Sequence, residues 1–133
     1  MSIIITPKSR VIEFVQLWAQ AETAGKLAAA NVKVKDYLIT SVDFLNKPIA
    51  NAPQYVMNGT CGFAWLIIKP ANSRFGKWLL AGGLGRKSSY EGGVRVSIYQ
   101  YGQCMEQKEA HAHAMSAVIA AAGLRCYADS RMD

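Results

Sequence analysis

Residues 61–68, Cys-Gly-Phe-Ala-Trp-Leu-Ile-Ile, are apolar at odd and even positions alike. Successive side chains of a strand point to opposite faces of its sheet. A run that is apolar on both parities therefore predicts a central strand covered on both sides. Pro70 ends it. The segment commits the second half of the chain to a sheet, and the residues after it supply the covering layers. Ser73 is placed to cap a short helix in which Phe75, Trp78 and Leu79 share one face. Residues 81–93 form a glycine-rich loop. Val94, Val96 and Ile98 then alternate with Arg95, Ser97 and Tyr99, the pattern of a half-buried strand that Gly102 ends. Residues 104–122 are alanine-rich and helical, closed by Gly123. Leu124, Cys126 and Ala128 alternate with Arg125 and Tyr127, which predicts a last short strand, and residues 130–133 read as a tail.

The front of the chain reads differently. Thr6-Pro7 suits an N-cap followed by proline at the first helical position. Val11, Phe14, Val15, Trp18 and Ala21 repeat at helical spacing. The helix formers Leu27 to Ala30 carry this helix through Gly25, at a cost of about 1 kcal/mol, to a stop at Asn31. Val34, Tyr37, Leu38, Val42 and Leu45 suggest a second, shorter helix, although residues 37–40 also suit a strand. Pro48, Asn51, Pro53 and Asn58-Gly59 mark a linker. The expectation is one α+β domain over residues 1–133. A helical part (1–47) and a linker (48–60) precede a β-α-β-α-β part (61–133). The N-terminal helices would pack on a small sheet of about three strands. At 133 residues and 51% hydrophobic, the chain supports one ordinary core.

Charge is concentrated in the back half. Between Lys69 and Arg95 six bases face one acid, Glu91, which accounts for five of the six net positive charges. Six of the eleven glycines lie in the same stretch. Such a loop is where an anionic partner is expected. Arg74, Lys77, Arg86 and Lys87 would contact phosphates, with Ser88 beside them. Tyr90 and Tyr99 would stack or hydrogen-bond. If helices cover the other side of the sheet, Arg95, Ser97 and Tyr99 would share a face with Arg125 and Tyr127, and Phe63 or Trp65 could join them. Cations mixed with aromatic rings suit single-stranded nucleic acid. The alternative is that the N-terminal helices bury that face. Lys108 falls amid the apolar face of its helix. It either snorkels past the core edge or, if buried, needs an acid or an anionic ligand beside it.

Other chemistries find little support. Residues 81–88 hint at a phosphate loop, but Arg86 breaks the G-x-x-x-x-G-K-[ST] spacing, and G-x-G-x-x-G is missing too. His111 and His113 lie two apart on a helix, so they point about 200° away from each other and cannot share a metal. The three cysteines show no C-x-x-C spacing and read as small buried hydrophobes. Of these only Cys104, at a helix start, has a mechanism for reactivity. No hydrolase or metalloprotease signature is present, so the expectation leans away from an enzyme, with no metal and no cofactor. Apolar runs are too short to cross a bilayer, and residues 1–6 lack the basic leader of a signal peptide, which leaves the cytoplasm as the expected location.

Residues 61–65 (CGFAW), 90–93 (YEGG), 102–110 (GQCMEQKEA) and 127–133 (YADSRMD) resemble a group of small bacteriophage and prophage proteins. The resemblance covers residues 61–133, and the group carries serine where this chain has Cys104. It implies phage origin, with the host cytoplasm as location, and implies no activity. The functional expectation is an accessory protein that binds nucleic acid or another polyanion through the basic loop. A contact with a host or virion protein is the alternative.

Overall fold

The computed structural model describes residues 3–32, 62–88, 92–102 and 104–132, and the backbone of residues 36–40 and 54–58. Its elements are helix α1 (Val11–Ala30), strands β1 (Asp36–Thr40), β2 (Gln54–Asn58) and β3 (Gly62–Lys69), helix α2 (Arg74–Ala81), strands β4 (Arg86–Lys87) and β5 (Val94–Ser97), helix α3 (Met105–Ala121) and strand β6 (Arg125–Met132). The class is α+β. β1 and β2 pair with each other, and the main sheet is antiparallel in the order β4-β5-β3-β6.

Several expectations are corrected. The main sheet has four strands, not three, because the two residues Arg86–Lys87 inside the glycine loop pair with β5. The front part holds one described helix. Residues 36–40 are a strand, where their β-branched and aromatic side chains outweigh the helical spacing around them. Residues 54–58, expected as linker, are its partner. Thr6-Pro7 caps nothing. The Thr6 amide donates to Ser9 Oγ at 2.8 Å and the Ser9 amide to the Thr6 carbonyl at 3.0 Å, a turn that delays the helix until Arg10 takes the N-cap position. Residues 130–132 continue β6 rather than forming a tail.

β3 is central and apolar on both parities, and its two faces meet different surroundings. Ala64, Leu66 and Ile68 join Val94, Val96 and Ile98 in the core under α1, α2 and α3. Ser73 Oγ accepts from the Gly76 amide at 3.0 Å and starts α2. Phe75 then meets Phe14 edge-on at 5.5 Å and stacks on Trp78 at 5.6 Å. Such ring pairs add about 1 kcal/mol beyond the area they bury. α1 faces the core with Phe14, Leu17, Ala21, Gly25 and Ala29. Val11 and Val15, expected inside, are exposed.

Candidate anion-binding face

The three described helices lie on one side of the sheet, so the other side is left to the odd-numbered residues of β3, β5 and β6. By register, Phe63 stands opposite Arg131, Trp65 opposite Asp129 and Ser97, Ile67 opposite Tyr127 and Arg95, and Lys69 opposite Arg125. The guanidinium carbon of Arg95 sits 3.9 Å from the centre of the Trp65 ring. Lys69 lies 5.7 Å from that of Tyr127, and Lys108 and Arg131 lie 5.6 and 5.8 Å from that of Phe63. Cations and rings thus interleave across the face, and the rings hold the cations in place.

Two adjoining clefts are cut into this face. The larger, about 610 Å³, runs along the glycine loop and is walled by Arg86, Lys87, Ser88, Arg95, Ser97 and Tyr99. The smaller, about 230 Å³, is walled by Phe63, Trp65, Arg95, Ser97, Tyr99 and Lys108. Arg95, Ser97 and Tyr99 border both. A Cβ on Gly85 would lie 2.6 Å from Val94 Cγ1 and 3.0 Å from the Arg95 carbonyl. Only glycine lets the loop close onto β5 there and set Arg86 and Lys87 against it.

Arg86 pairs directly with Arg95 across β4 and β5. Like charges at such positions repel and destabilise the pair by a few tenths of a kcal/mol. Among the described residues, no carboxylate lies within 4.0 Å of Lys69, Arg86, Lys87, Arg95, Lys108, Arg125 or Arg131. Lys108 is 4% exposed, and its ammonium donates to the Gly62 carbonyl at 3.3 Å. It does not snorkel. It is a buried cation with no acid beside it among the described residues. Arg86→Gln is accordingly expected to raise the stability of the free protein by about 0.5 kcal/mol while weakening anion binding. Thermal denaturation and a binding titration on the same sample check the opposite signs.

Of the nine residues expected to bind anions, Arg86, Lys87, Ser88, Arg95, Tyr99 and Lys108 line the two clefts. Arg74 does not. Its Nη1 donates to the Pro7 carbonyl at 2.8 Å and its guanidinium lies over Phe14, so it ties the N-terminal turn to α2. Lys77 is exposed on α2 and lines neither cleft. Tyr90 lies outside the described residues. Lys69 and Arg131 belong to the face and were missed as site residues. The signal for Arg131 was the two-residue alternation begun by Arg125 and Tyr127, which continues through it.

The turn after β5 is anchored from beneath. Tyr101 adopts a left-handed φ of 73°, and its hydroxyl lies 2.7 Å from His111 Nδ1. That bond holds a backbone conformation that costs about 1 kcal/mol or more in a non-glycine residue. The turn places Tyr99 and Gly102 on the wall of the smaller cleft. His111 is fully buried, with Nε2 3.5 Å from Glu22 Oε2, whereas His113 is exposed. Burial lowers the His111 pKa below 6.5. Glu22 opposes that shift and Lys26 adds to it. Burial, then Glu22, raises that of Tyr101. A depressed histidine pKa means that the unfolded chain takes up the proton first as pH falls. Stability is therefore full above about 6.5 and declines below it. Melting temperatures between pH 7.5 and 5 are expected to show that decline, and His111→Gln to flatten it.

The described thiols, those of Cys104 and Cys126, line neither cleft, and Cys61 lies outside the described residues. Burial pushes the Cys126 thiol up to about 12. Cys104 is buried at the start of α3, where its Sγ donates to Glu106 Oε2 at 3.5 Å. Among the described residues, no group of three or more His, Cys, Asp or Glu is placed to hold a metal ion, and no helix is long and apolar enough to cross a membrane. Compared with known families, curated proteins and solved structures, the chain matches none.

Proposed function

We propose that the protein is a small accessory protein of phage type that binds nucleic acid or another polyanion at the two clefts on the side of its sheet away from the described helices, without catalysis. The observation that carries this reading is the direct pairing of Arg86 with Arg95, with no carboxylate beside either among the described residues. Juxtaposed cations weaken a free protein, and phosphates arriving between them would relieve the repulsion. The described wall residues of the larger cleft offer guanidinium, ammonium and hydroxyl donors, and no carboxylate. Such contacts hold a phosphate backbone without reading bases. Titration of fluorescent single-stranded and duplex DNA and RNA, at low and at high salt, tests the reading. Binding at low salt that weakens with salt is expected. No binding of any of the four at low salt would refute it.

A contact with a host or virion protein is a second reading, favoured by α1. Its outer surface exposes Val11, Ile12, Val15 and Leu27, and Ile4 is exposed as well. Exposed apolar side chains on one helix suit a protein partner. On this reading the oligomeric state or a captured partner would change when Val15 and Leu27 become polar, and polyanion binding would not.

A further inference from the structure

Resting on the polyanion reading, the geometry points to single-stranded nucleic acid as the ligand, with one unpaired nucleotide seated in the smaller cleft. That cleft is walled by the rings of Phe63, Trp65 and Tyr99 and by donors. Its charged side chains are Arg95 and Lys108, and Ser97 adds a hydroxyl. The indole N–H of Trp65 is buried without a hydrogen-bond acceptor. Rings and cations together call for a flat ligand accompanied by negative charge. A nucleotide meets each of those demands.

Access separates single strands from duplexes. Lys108 is 4% exposed, so only a group that enters the cleft reaches its ammonium. A duplex keeps its bases paired inside and presents its phosphates on a convex surface, which cannot enter a space of about 230 Å³. A single strand can splay one nucleotide out of its stack. The larger cleft continues from the smaller through Arg95, Ser97 and Tyr99, and it holds the exposed Arg86 and Lys87 for the phosphates on one side of that nucleotide. Tyr99 stands at the junction, 79% exposed. The guanidinium of Arg95, fixed over Trp65, offers its outer plane for stacking as well.

The test compares an oligothymidylate of about 12 nucleotides, its duplex with oligodeoxyadenylate, and heparin, at about 50 mM salt. Single-strand binding is expected to be at least about tenfold tighter than duplex binding. Tyr99→Ala and Lys108→Met should each reduce single-strand affinity by about tenfold, the loss expected for a stacking contact, and leave heparin binding unchanged. The double variant Arg86→Gln, Lys87→Gln should weaken binding of all three probes. Tyr99 is exposed, so its variant remains informative if Lys108→Met fails to fold. Equal affinity for single strand and duplex would overturn the proposal. So would unchanged single-strand binding in Tyr99→Ala while heparin still binds. Failure of the wild type to bind any of the three probes would instead remove the polyanion reading beneath it.

Discussion

Raising salt from about 50 to about 200 mM is expected to weaken single-strand binding roughly fiftyfold. Arg86, Lys87, Arg95 and Lys108 line two adjoining clefts, and on the proposed function each would neutralise one phosphate. Each such contact releases a condensed counterion, which gives a slope of about −0.7 per contact for single strands and about −3 for four. The triple variant Arg86→Gln, Lys87→Gln, Arg95→Gln should lower affinity about a hundredfold, since an exposed ion pair is worth up to about 1 kcal/mol. Its slope should fall to about −0.7, because Lys108 remains. Arg95→Gln also uncovers Trp65, so the emission of that indole should change in the free protein. Arg74→Gln serves as the control. Arg74 is tied to Pro7 and lines neither cleft, so its loss should leave the slope unaltered.

Gly25→Ala is expected to destabilise the fold by about 1–2 kcal/mol, against the helix-propensity rule. In an exposed helix interior, that substitution would stabilise by about 1 kcal/mol. Here the added Cβ would lie 2.7 Å from His111 Cδ2 and Nε2. The ring cannot retreat easily, because it is fully buried and bonded to Tyr101 at 2.7 Å. Overpacking costs about 1–3 kcal/mol, and against a ring held in place the upper part of that range, about 2–3 kcal/mol, outweighs the gain in propensity. In the background of His111→Ala the sign should reverse and Gly25→Ala should stabilise by about 1 kcal/mol. The coupling is then about 2–3 kcal/mol, measured by denaturant unfolding of the four proteins of the cycle. Additive effects would mean that the ring yields. Since Tyr101 and His111 anchor the turn that carries Tyr99, Gly25→Ala should also weaken single-strand binding without touching a cation.

The back half was the more legible part. Cys61–Ile68 declared a central strand because burial on both faces demands apolar residues on both parities. Ser73, Gly102 and Gly123 punctuated the elements around it by local chemistry. The front half misled because its cues were local and the outcome depended on longer range. Thr6-Pro7 had the form of a cap, yet Ser9 captured the Thr6 amide first. Residues 36–40 carried two patterns, and pairing with residues 54–58 decided between them. Gly25 has the look of a tolerated cost in a helix. Its reason lies in a histidine 86 residues away in sequence. At the site, composition located the bases but not their directions. Arg74 and Arg86 are equally basic in the sequence. One is spent on a backbone carbonyl, and the other faces Arg95 across a strand pair that two residues inside a glycine loop gave no periodicity to reveal.

On the proposed function, cations from separate strands converge on one face to receive a polyanion. Amide chemical shifts followed during titration with a short oligothymidylate test it most directly. Perturbations are expected to cluster on β4, β5, the turn after β5 and the first turn of α3, with Arg86, Arg95, Ser97, Tyr99 and Lys108 among the largest. The exposed surface of α1 around Val15 and Leu27 should stay silent. Perturbations confined to α1, or spread evenly over every lysine and arginine of the chain, would contradict it.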